Sequence, residues 1–167
     1  MTIARLLKKA AAAPPSLPRL RPKKGERKRR PVLELDEMWP FVGRKKRKVW
    51  RWLAVERHSR RIVAWVLGDR SAATARRLWA QLPAYWREPR CWYFTDLWES
   101  YVGVLPRWQH RRSLKGSGGT RIVKAINCSL RQRCGVLVRK SCSFSKSLVM
   151  HTARIKIIID RYTITLN

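Results

Sequence analysis

The chain has 167 residues, of which 45% are hydrophobic and nine are tryptophan, so it is long and apolar enough for one domain with a buried core. Its 39 Lys and Arg residues far outnumber its 10 Asp and Glu residues, and the formal net charge is +29. Such a charge disfavours the compact state unless a polyanion is bound, and nucleic acid is the obvious polyanion. No apolar run approaches the ~20 residues of a membrane-spanning helix. We therefore expect an intracellular protein without a membrane partner.

Residues 1–31 form a basic, proline-rich arm. The stretch from Ile3 to Ala13 favours a short helix, but the prolines that follow it indicate an extended linker. The cluster KKGERKRR at 23–30 is either a phosphate-binding arm or a solvated tail, and we favour the arm. Residues 32–167 are then the folded domain.

Three strands open this domain. The sequence VLELDEMWPFV from Val32 predicts the first, residues 49–56 the second, and the almost wholly apolar residues 62–69 the third. Tight polar turns between them indicate an antiparallel meander. The turn at 43–48 is long and basic enough to reach a phosphate backbone. Its predicted DNA contacts are Lys45, Lys46, Arg47 and Lys48.

The period then changes to that of a helix. Residues 71–88 have helical spacing, with an end or bend expected at Pro83. The strand CWYFTD at 91–96 ends in a carboxylate, and residues 97–106 favour a short helix. Residues 107–119 begin as an edge strand and finish as a Gly/Ser loop.

A long helix begins at Thr120. Its expected core face consists of Ile122, Ile126, Leu130, Cys134 and Leu137. A second, polar stripe at the same spacing consists of Lys124, Asn127 and Arg131. The segment from Leu148 to Tyr162 favours a last helix, although its β-branched run leaves a strand open.

This order of elements predicts an α/β fold of the ribonuclease-H-like type, with a mixed sheet of three antiparallel strands plus parallel strands, flanked by helices. In such a fold Asp36 lies in mid-strand and Asp96 lies at the end of the neighbouring parallel strand, so both carboxylates face one point. Oxygen ligands of this kind suit Mg²⁺ or Mn²⁺. The alternative for Asp36 is a salt bridge to a nearby arginine.

Four stretches carry a resemblance to a known family. LDEMWPFV, GDRSAATARRLW, TDLWESY and LRQRCGVLVRKSCSFSKS resemble the transposases of insertion-sequence-one type elements. The resemblance implies a DDE-type transposase that cuts and joins double-stranded DNA with Mg²⁺ or Mn²⁺, with Asp36 and Asp96 as its first two acidic residues. It also implies a homo-oligomer on DNA and a cytoplasmic, nucleoid-associated place in a prokaryote. Members carry an upstream zinc finger and helix-turn-helix, so the chain resembles the downstream reading frame.

The third acidic position of the family departs from the pattern, because Lys124 stands where the family has Glu. An ammonium group there repels a divalent cation, and we expect it to pair with Asp36 or Asp96. Glu99, one turn past Asp96, is the substitute that helical geometry would favour. Glu37 points to the opposite face of its strand from Asp36, and we expect it to be a poor substitute. The hypothesis is a transposase domain that binds DNA but has weak or no activity.

Other residues are assigned to the DNA surface. Predicted contacts to the DNA backbone, besides the basic turn, are Asn127, Arg131, Arg133, Arg139, Lys140 and Lys146. The SCSFSKS block is either a phosphate-binding loop or an N-capping connection to the last helix. Trp98 is a candidate wedge between bases, whereas we expect most other tryptophans in the core. We expect the four cysteines to be reduced thiols. The alternative function is a non-catalytic DNA- or RNA-binding protein, such as a transposition inhibitor or a ribosome-associated protein.

Overall fold

The computed structural model describes residues 2–12, 29–138 and 143–166. These residues form a central sheet with helices on both faces. The strands are β1 (Val32–Met38), β2 (Phe41–Val42), β3 (Arg44–Lys48), β4 (Trp50–Glu56), β5 (Ile62–Gly68), β6 (Trp92–Thr95) and β7 (His110–Arg112). The helices are α1 (Ile3–Ala12), α2 (Ala72–Gln81), α3 (Arg121–Arg133) and α4 (Leu148–Ile164).

The main sheet is mixed, and its strand order is β5-β4-β1-β6-β7. Strands β5, β4 and β1 pair antiparallel, whereas β6 runs parallel to β1 and β7 runs parallel to β6. This confirms the predicted α/β fold with three antiparallel and additional parallel strands. Asp36 lies in the central strand, paired with Leu53 of β4, and Asp96 follows the last residue of β6.

Alternation along β1 divides its side chains between two apolar layers. Leu33 and Leu35 are fully buried in the layer that contains α2. Met38 belongs to the opposite layer, which α3 and α4 cover. Asp36 has the same parity as Met38, so the central strand directs its carboxylate towards α3.

Glu34 joins β1 to the start of α3. Its buried carboxylate accepts a 2.9 Å hydrogen bond from the backbone N–H of Val123, in the first turn of the helix. It also accepts a 2.8 Å bond from Nε of Arg57. The first N–H groups of a helix have no partner within the helix, and an anion there is favoured by the helix dipole. Glu34 therefore fixes the position of α3 along β1.

The basic stretch after β1 is not the turn that the sequence predicts, because Arg44–Lys48 form strand β3 and pair with the short strand β2. Gly43 makes the tight connection between them with φ +75°, a conformation that glycine adopts without strain. Its N–H donates to the carbonyl of Ser145 at 2.8 Å. The hairpin β2–β3 thereby lies against the segment before α4.

Two other elements differ from expectation. The long helix ends at Arg133, since a single 3₁₀ turn at Gly135–Leu137 replaces its predicted last turn. Its buried residues are Val123, Ile126, Asn127 and Leu130, so the inward face is rotated from the predicted one. The predicted helix at 97–106 is only a 3₁₀ turn at Glu99–Tyr101. The segment from Leu148 is helical, as favoured, and the edge strand β7 is present.

Helix α1 packs against α4. The buried Lys156 of α4 donates from Nζ to the carbonyl of Ala10 at 2.9 Å, and so caps one of the last carbonyls of α1. Residues 13–28, which include most of the basic cluster, lie outside the described residues. The division at residue 31 stays a prediction. Of the helices in the described ranges, none is long and apolar enough to cross a membrane.

Candidate metal centre

The fold brings Asp36 and Asp96 together at the carboxyl ends of β1 and β6. One carboxylate oxygen from each of Asp36, Asp96 and Glu37 lies within 4.8 Å of the others. Ions in a two-metal site are separated by about 3.5–4 Å, so carboxylates at this spacing are close enough to share them. The pair that the sequence singled out therefore has the geometry of a metal site, and a third acidic side chain joins it.

Asp36 is held by a hydrogen bond from α3. Nδ2 of Asn127 donates to Oδ2 of Asp36 at 2.7 Å. Burial raises the pKa of Asp36 from 3.8 to about 6, against the lowering effects of the Asn127 hydrogen bond and of the Lys124 charge. The nearby charge of Asp96 adds to the increase. Instead of the salt bridge considered as the alternative, Asp36 has a neutral amide as its partner.

Behind Asn127 lies a second donor, Arg51 of β4. Nη2 of Arg51 donates to Oδ1 of Asn127 at 2.6 Å. The Arg51 side chain has no exposed surface, and its Nε and Nη1 atoms have no hydrogen-bond partner among the described residues. Burial lowers the pKa of Arg51 to about 10, which still leaves it charged at neutral pH. A cation is thus connected to the first acidic residue through one side-chain amide.

Glu37 points to the opposite face of β1, as expected, but its carboxylate is not remote from the pair. Arg70 donates to Oε1 from Nε at 2.9 Å and from Nη2 at 2.7 Å, and the Tyr101 hydroxyl donates to Oε2 at 3.0 Å. Burial, with the nearby charges of Asp96 and Asp36, raises the pKa of Glu37 from 4.5 to about 7, against the lowering effects of the Arg70 and Tyr101 hydrogen bonds. Strand β1 ends one residue after Glu37, at Met38. Side chains from the two faces of the strand approach each other around this end.

Asp96 is oriented by its own loop. The backbone N–H of Trp98 donates to Oδ1 of Asp96 at 2.9 Å, which forms a turn of the kind that Asp favours. The guanidinium of Arg70 lies 3.7 Å from the ring centroid of Trp98 and 4.6 Å from that of Trp50. One face of the Trp98 ring is therefore covered by Arg70. Its predicted role as a base wedge stays a prediction.

Lys124 borders the cavities of both acidic residues. It lines a cavity of about 240 Å³ with Asp36 and Asn127, and a second cavity of about 400 Å³ with Asp96 and Trp98. Its charge lowers the pKa of Asp36. The expected ion pair is not formed: within the described residues, the ion pairs shorter than 4.0 Å are Arg57–Glu34, Arg70–Glu37 and Arg112–Glu99. The side chain of Lys124 is exposed.

Glu99 does not join the acidic group of Asp36, Glu37 and Asp96, so its position gives no support to its predicted role as a substitute. Its side chain is 80% exposed and forms an ion pair with Nη2 of Arg112 at 3.1 Å. The offset of three residues would return a side chain to the same face only in a regular helix. After Asp96 the chain forms a bend and a short 3₁₀ turn instead.

The residues predicted to contact DNA fall into four groups. Lys45, Lys46, Arg47 and Lys48 are exposed on β3, and Lys146 is exposed beside this hairpin. Asn127 is buried, and both polar atoms of its amide are used within the protein. Arg131 lines the smaller cavity, and Arg133 is exposed at the end of α3. Arg139 and Lys140 lie outside the described residues. DNA contact by these residues stays a prediction.

The SCSFSKS connection before α4 provides the N-cap of that helix, which is one of the two roles predicted for it. Ser147 is the N-cap of α4, and its hydroxyl accepts a 3.3 Å hydrogen bond from the backbone N–H of Met150. The neighbouring Ser145 is buried, and its hydroxyl lies 3.2 Å from Nδ1 of His151. Cys91, Cys128 and Cys134 are free thiols, and Cys142 lies outside the described residues.

The donor set fits Mg²⁺ or Mn²⁺. Both ions prefer oxygen ligands and keep several waters, so two carboxylates suffice. Oδ1 of Asp36 receives no hydrogen bond from the described residues, and Asp36 lines a cavity open to solvent. Asp36 and Asp96 would hold the ion. Glu37 is held by Arg70 and Tyr101, and is less available.

Comparison with known proteins gives one family. The model of the IS1 transposase family matches residues 31–164. The insertion element IS1 protein InsB of Shigella flexneri is 40% identical over 118 residues, which are 71% of this chain and 86% of that protein. The iso-IS1n protein InsB of Shigella dysenteriae is 33% identical over 131 residues, which are 78% of this chain and 95% of that protein. The matched segment contains every strand of the sheet and both acidic residues of the pair. This chain belongs to the IS1 transposase family.

Proposed function

We propose that the chain is the catalytic domain of a DNA transposase, with Asp36 and Asp96 as the ligands of Mg²⁺ or Mn²⁺, and that Lys124 impairs its activity. The observation that carries the proposal is the 4.8 Å grouping of carboxylate oxygens at the end of the central strands. The substrate is double-stranded DNA, both element ends and target. The protein acts on it as a homo-oligomer in the bacterial cytoplasm.

Asp36 and Asp96 would hold a divalent ion, which would supply activation of a water or a 3′-hydroxyl and stabilisation of the leaving oxygen of a phosphodiester. The side chains of the protein supply the metal ligands, their orientation and the contacts to DNA. Asp36 and Asp96 provide oxygen ligands, and Asn127 orients Asp36. The cations of β3 are exposed on the hairpin that follows β1, at the same end of the sheet as the carboxylates. They are placed to bind the DNA backbone, since phosphate contacts fix the register of a protein on DNA.

Lys124 opposes the metal by its charge. Two unit charges 4 Å apart interact with about 1 kcal/mol in water and about 4 kcal/mol at a protein surface, and a divalent cation doubles the repulsion. Lys124 contributes to the cavities of both carboxylates, so it repels an ion anywhere between them. A protonated amine has no lone pair to offer as a ligand. Weakened metal binding is the expected result.

The test compares three proteins: the native chain, Lys124→Glu, and Lys124→Glu with Asp96→Asn. Mn²⁺-dependent strand cleavage and joining are measured on element-end DNA, with a family recognition domain supplied. We expect little activity from the native chain, a gain in Lys124→Glu, and loss in the double variant. If Lys124→Glu stays inert although its Mn²⁺ affinity has risen, Lys124 is not the cause of impairment. If activity survives Asp96→Asn, the site assignment is wrong.

A second candidate function is DNA binding without catalysis, as in a transposition inhibitor. It is favoured by Lys124 and by the engagement of Glu37 with Arg70. In that case Lys124→Glu would weaken DNA binding and confer no cleavage. Measuring affinity and cleavage on the same DNA for both proteins separates the two functions.

A further inference from the structure

We propose that Arg51 is a positioning residue that acts through Asn127 to orient the Asp36 carboxylate. The metal consequence of this proposal rests on the proposed function, but the orienting contact does not. Arg51 and Asn127 come from different elements, β4 and α3, and Asp36 comes from a third, β1. Two hydrogen bonds link the three side chains in sequence, and we call this arrangement the Arg51–Asn127–Asp36 relay.

The direction of the relay follows from the chemistry of its ends. A guanidinium has only donors, so the amide of Asn127 must turn its oxygen towards Arg51. The NH₂ group then faces Asp36 and donates to Oδ2 at 2.7 Å. If the amide were reversed, its NH₂ group would face the Arg51 donors and its oxygen would face a carboxylate oxygen. Both contacts are repulsive, so Arg51 selects one orientation.

Burial of the Arg51 guanidinium is energetically unfavourable, and this supports a specific role for the residue. The guanidinium is fully buried, and its Nε and Nη1 atoms make no hydrogen bond within the part of the chain that the structure describes. Leaving a buried polar group without a hydrogen bond is unfavourable, and more so when the group is charged. Replacement of a whole buried ion pair by apolar side chains of similar volume is often neutral or stabilising, but Arg51 has a neutral amide as its hydrogen-bond partner. Its burial is therefore a poor source of stability, whereas its bond to Asn127 has no apolar substitute.

The sign of the effect on metal affinity separates positioning from simple electrostatics. Arg51 is a cation near Asp36, as its effect on the pKa of that residue shows. By charge alone, removing it strengthens the binding of a divalent cation. As a positioning residue, removing it frees the Asn127 amide and weakens binding. Loss of a residue that orients a metal ligand typically costs about 10- to 100-fold in metal affinity.

The first experiment needs no metal. Solvent exchange of the Asn127 side-chain NH₂ protons is measured by NMR in the full chain and in Arg51→Met. We expect exchange to become about tenfold faster, while the backbone amides of Val123 and Leu130 keep their protection. Arg131→Met is the matched control, because Arg131 lines the same cavity as Asp36 but donates to Met38 instead of Asn127. Unchanged exchange in Arg51→Met overturns the proposal.

Arg51→Lys covers the case in which Arg51→Met does not fold. It keeps the charge but is shorter and has no planar fork, so exchange of the Asn127 protons should still rise. If exchange in this variant equals that of the native chain, the relay does not depend on the guanidinium.

The second experiment measures Mn²⁺ affinity by EPR in the Lys124→Glu background. We expect Arg51→Met to lower the affinity and Arg131→Met to raise it. A rise in both variants overturns the positioning role. If Lys124→Glu itself binds no Mn²⁺, the proposed metal site fails, and the exchange measurement alone decides whether Arg51 orients Asp36.

Discussion

The carboxylate of Glu34 and the backbone N–H of Val123 are joined by a 2.9 Å hydrogen bond across the interface of β1 and α3. Glu34 lies two residues before Asp36 on the same face of the strand. Val123 lies one residue before Lys124 and four before Asn127, one helical turn away. This contact therefore sets which helical residues lie over the carboxylates of Asp36 and Asp96. A shift of α3 by one residue would remove Asn127 from Asp36.

We expect Glu34→Gln to destabilise the protein by about 1–3 kcal/mol, because it removes a charge-assisted partner from Arg57 and from the helix start. The free energy of unfolding is measured by urea denaturation. Glu99→Gln is the control, since its exposed ion pair should contribute no more than about 0.5 kcal/mol. Equal losses in the two variants would contradict the anchoring role of Glu34.

The raised pKa of Asp36 makes stability depend on pH. A carboxyl whose pKa is about 6 in the folded state and 3.8 ordinarily binds its proton more tightly when folded. Its contribution to stability is present below about pH 3.8 and is lost as the pH rises through about 6. We therefore expect Asp36→Asn to stabilise the protein by about 1–3 kcal/mol at pH 8. At pH 4 and below, the native protein and the Asp36→Asn variant should unfold at nearly the same urea concentration. A difference in stability between the two proteins that is the same at pH 4 and at pH 8 would contradict the raised pKa of Asp36.

Lys124 holds the pKa of Asp36 lower than burial alone would. Lys124→Met should therefore raise this pKa above about 6, and Lys124→Glu should raise it more, because a like charge replaces an opposite one. Carbon-13 NMR of the Asp36 carboxyl as a function of pH measures both changes. Lys115→Met is the control, since Lys115 lines only the cavity of Asp96. A pKa that does not move in Lys124→Met would place the ammonium too far away to matter.

The β3 cations should determine part of the salt dependence of DNA binding. Each phosphate that the protein no longer neutralises reduces the slope of log K against log salt concentration by about 0.9. We expect Lys45→Ala with Lys46→Ala to reduce the slope by about 1–2, measured by fluorescence anisotropy between low and high salt. Arg76→Ala with Arg87→Ala removes the same charge from the α2 region and should change the slope less. Equal changes would mean that net charge, and not the hairpin, governs binding.

Sequence periodicity predicted the sheet and the carboxylate pair because both depend on local pattern and strand order. Apolar runs identified β1, β4 and β5, and their order around α2 placed Asp36 beside Asp96. Periodicity missed β3, since five consecutive cations show no alternation and the strand is defined by its pairing with β2. The 3₁₀ turn at Glu99 was missed for a similar reason, because its three residues fit a helix equally well.

The supporting residues of the site depend on contacts that no local pattern specifies. The position of Arg51 depends on the pairing of β4 with β1, which sets it opposite Met38. Arg70 contacts Glu37 although the two residues are 33 positions apart in the sequence. The signal that could have found Arg51 is a single cation within the apolar run VWRWLAVE. Such a residue has to be buried with a partner or exposed at an edge. Glu37 could have been recognised as a neighbour of Asp36 and Asp96 only from its position next to the end of β1, because side chains from both faces of the strand approach each other there.

Lys124 has an evolutionary consequence. Every lysine codon becomes a glutamate codon by one A-to-G change at its first base, so a glutamate at this position is a single transition away. Within the described residues no ion pair shorter than 4.0 Å has formed around the ammonium, so reversal would leave no anion stranded. The anchors of α3, Glu34 and Asn127, are still present to aim the new side chain. Under the proposed function, this chain is therefore one mutation from a third carboxylate beside Asp36 and Asp96.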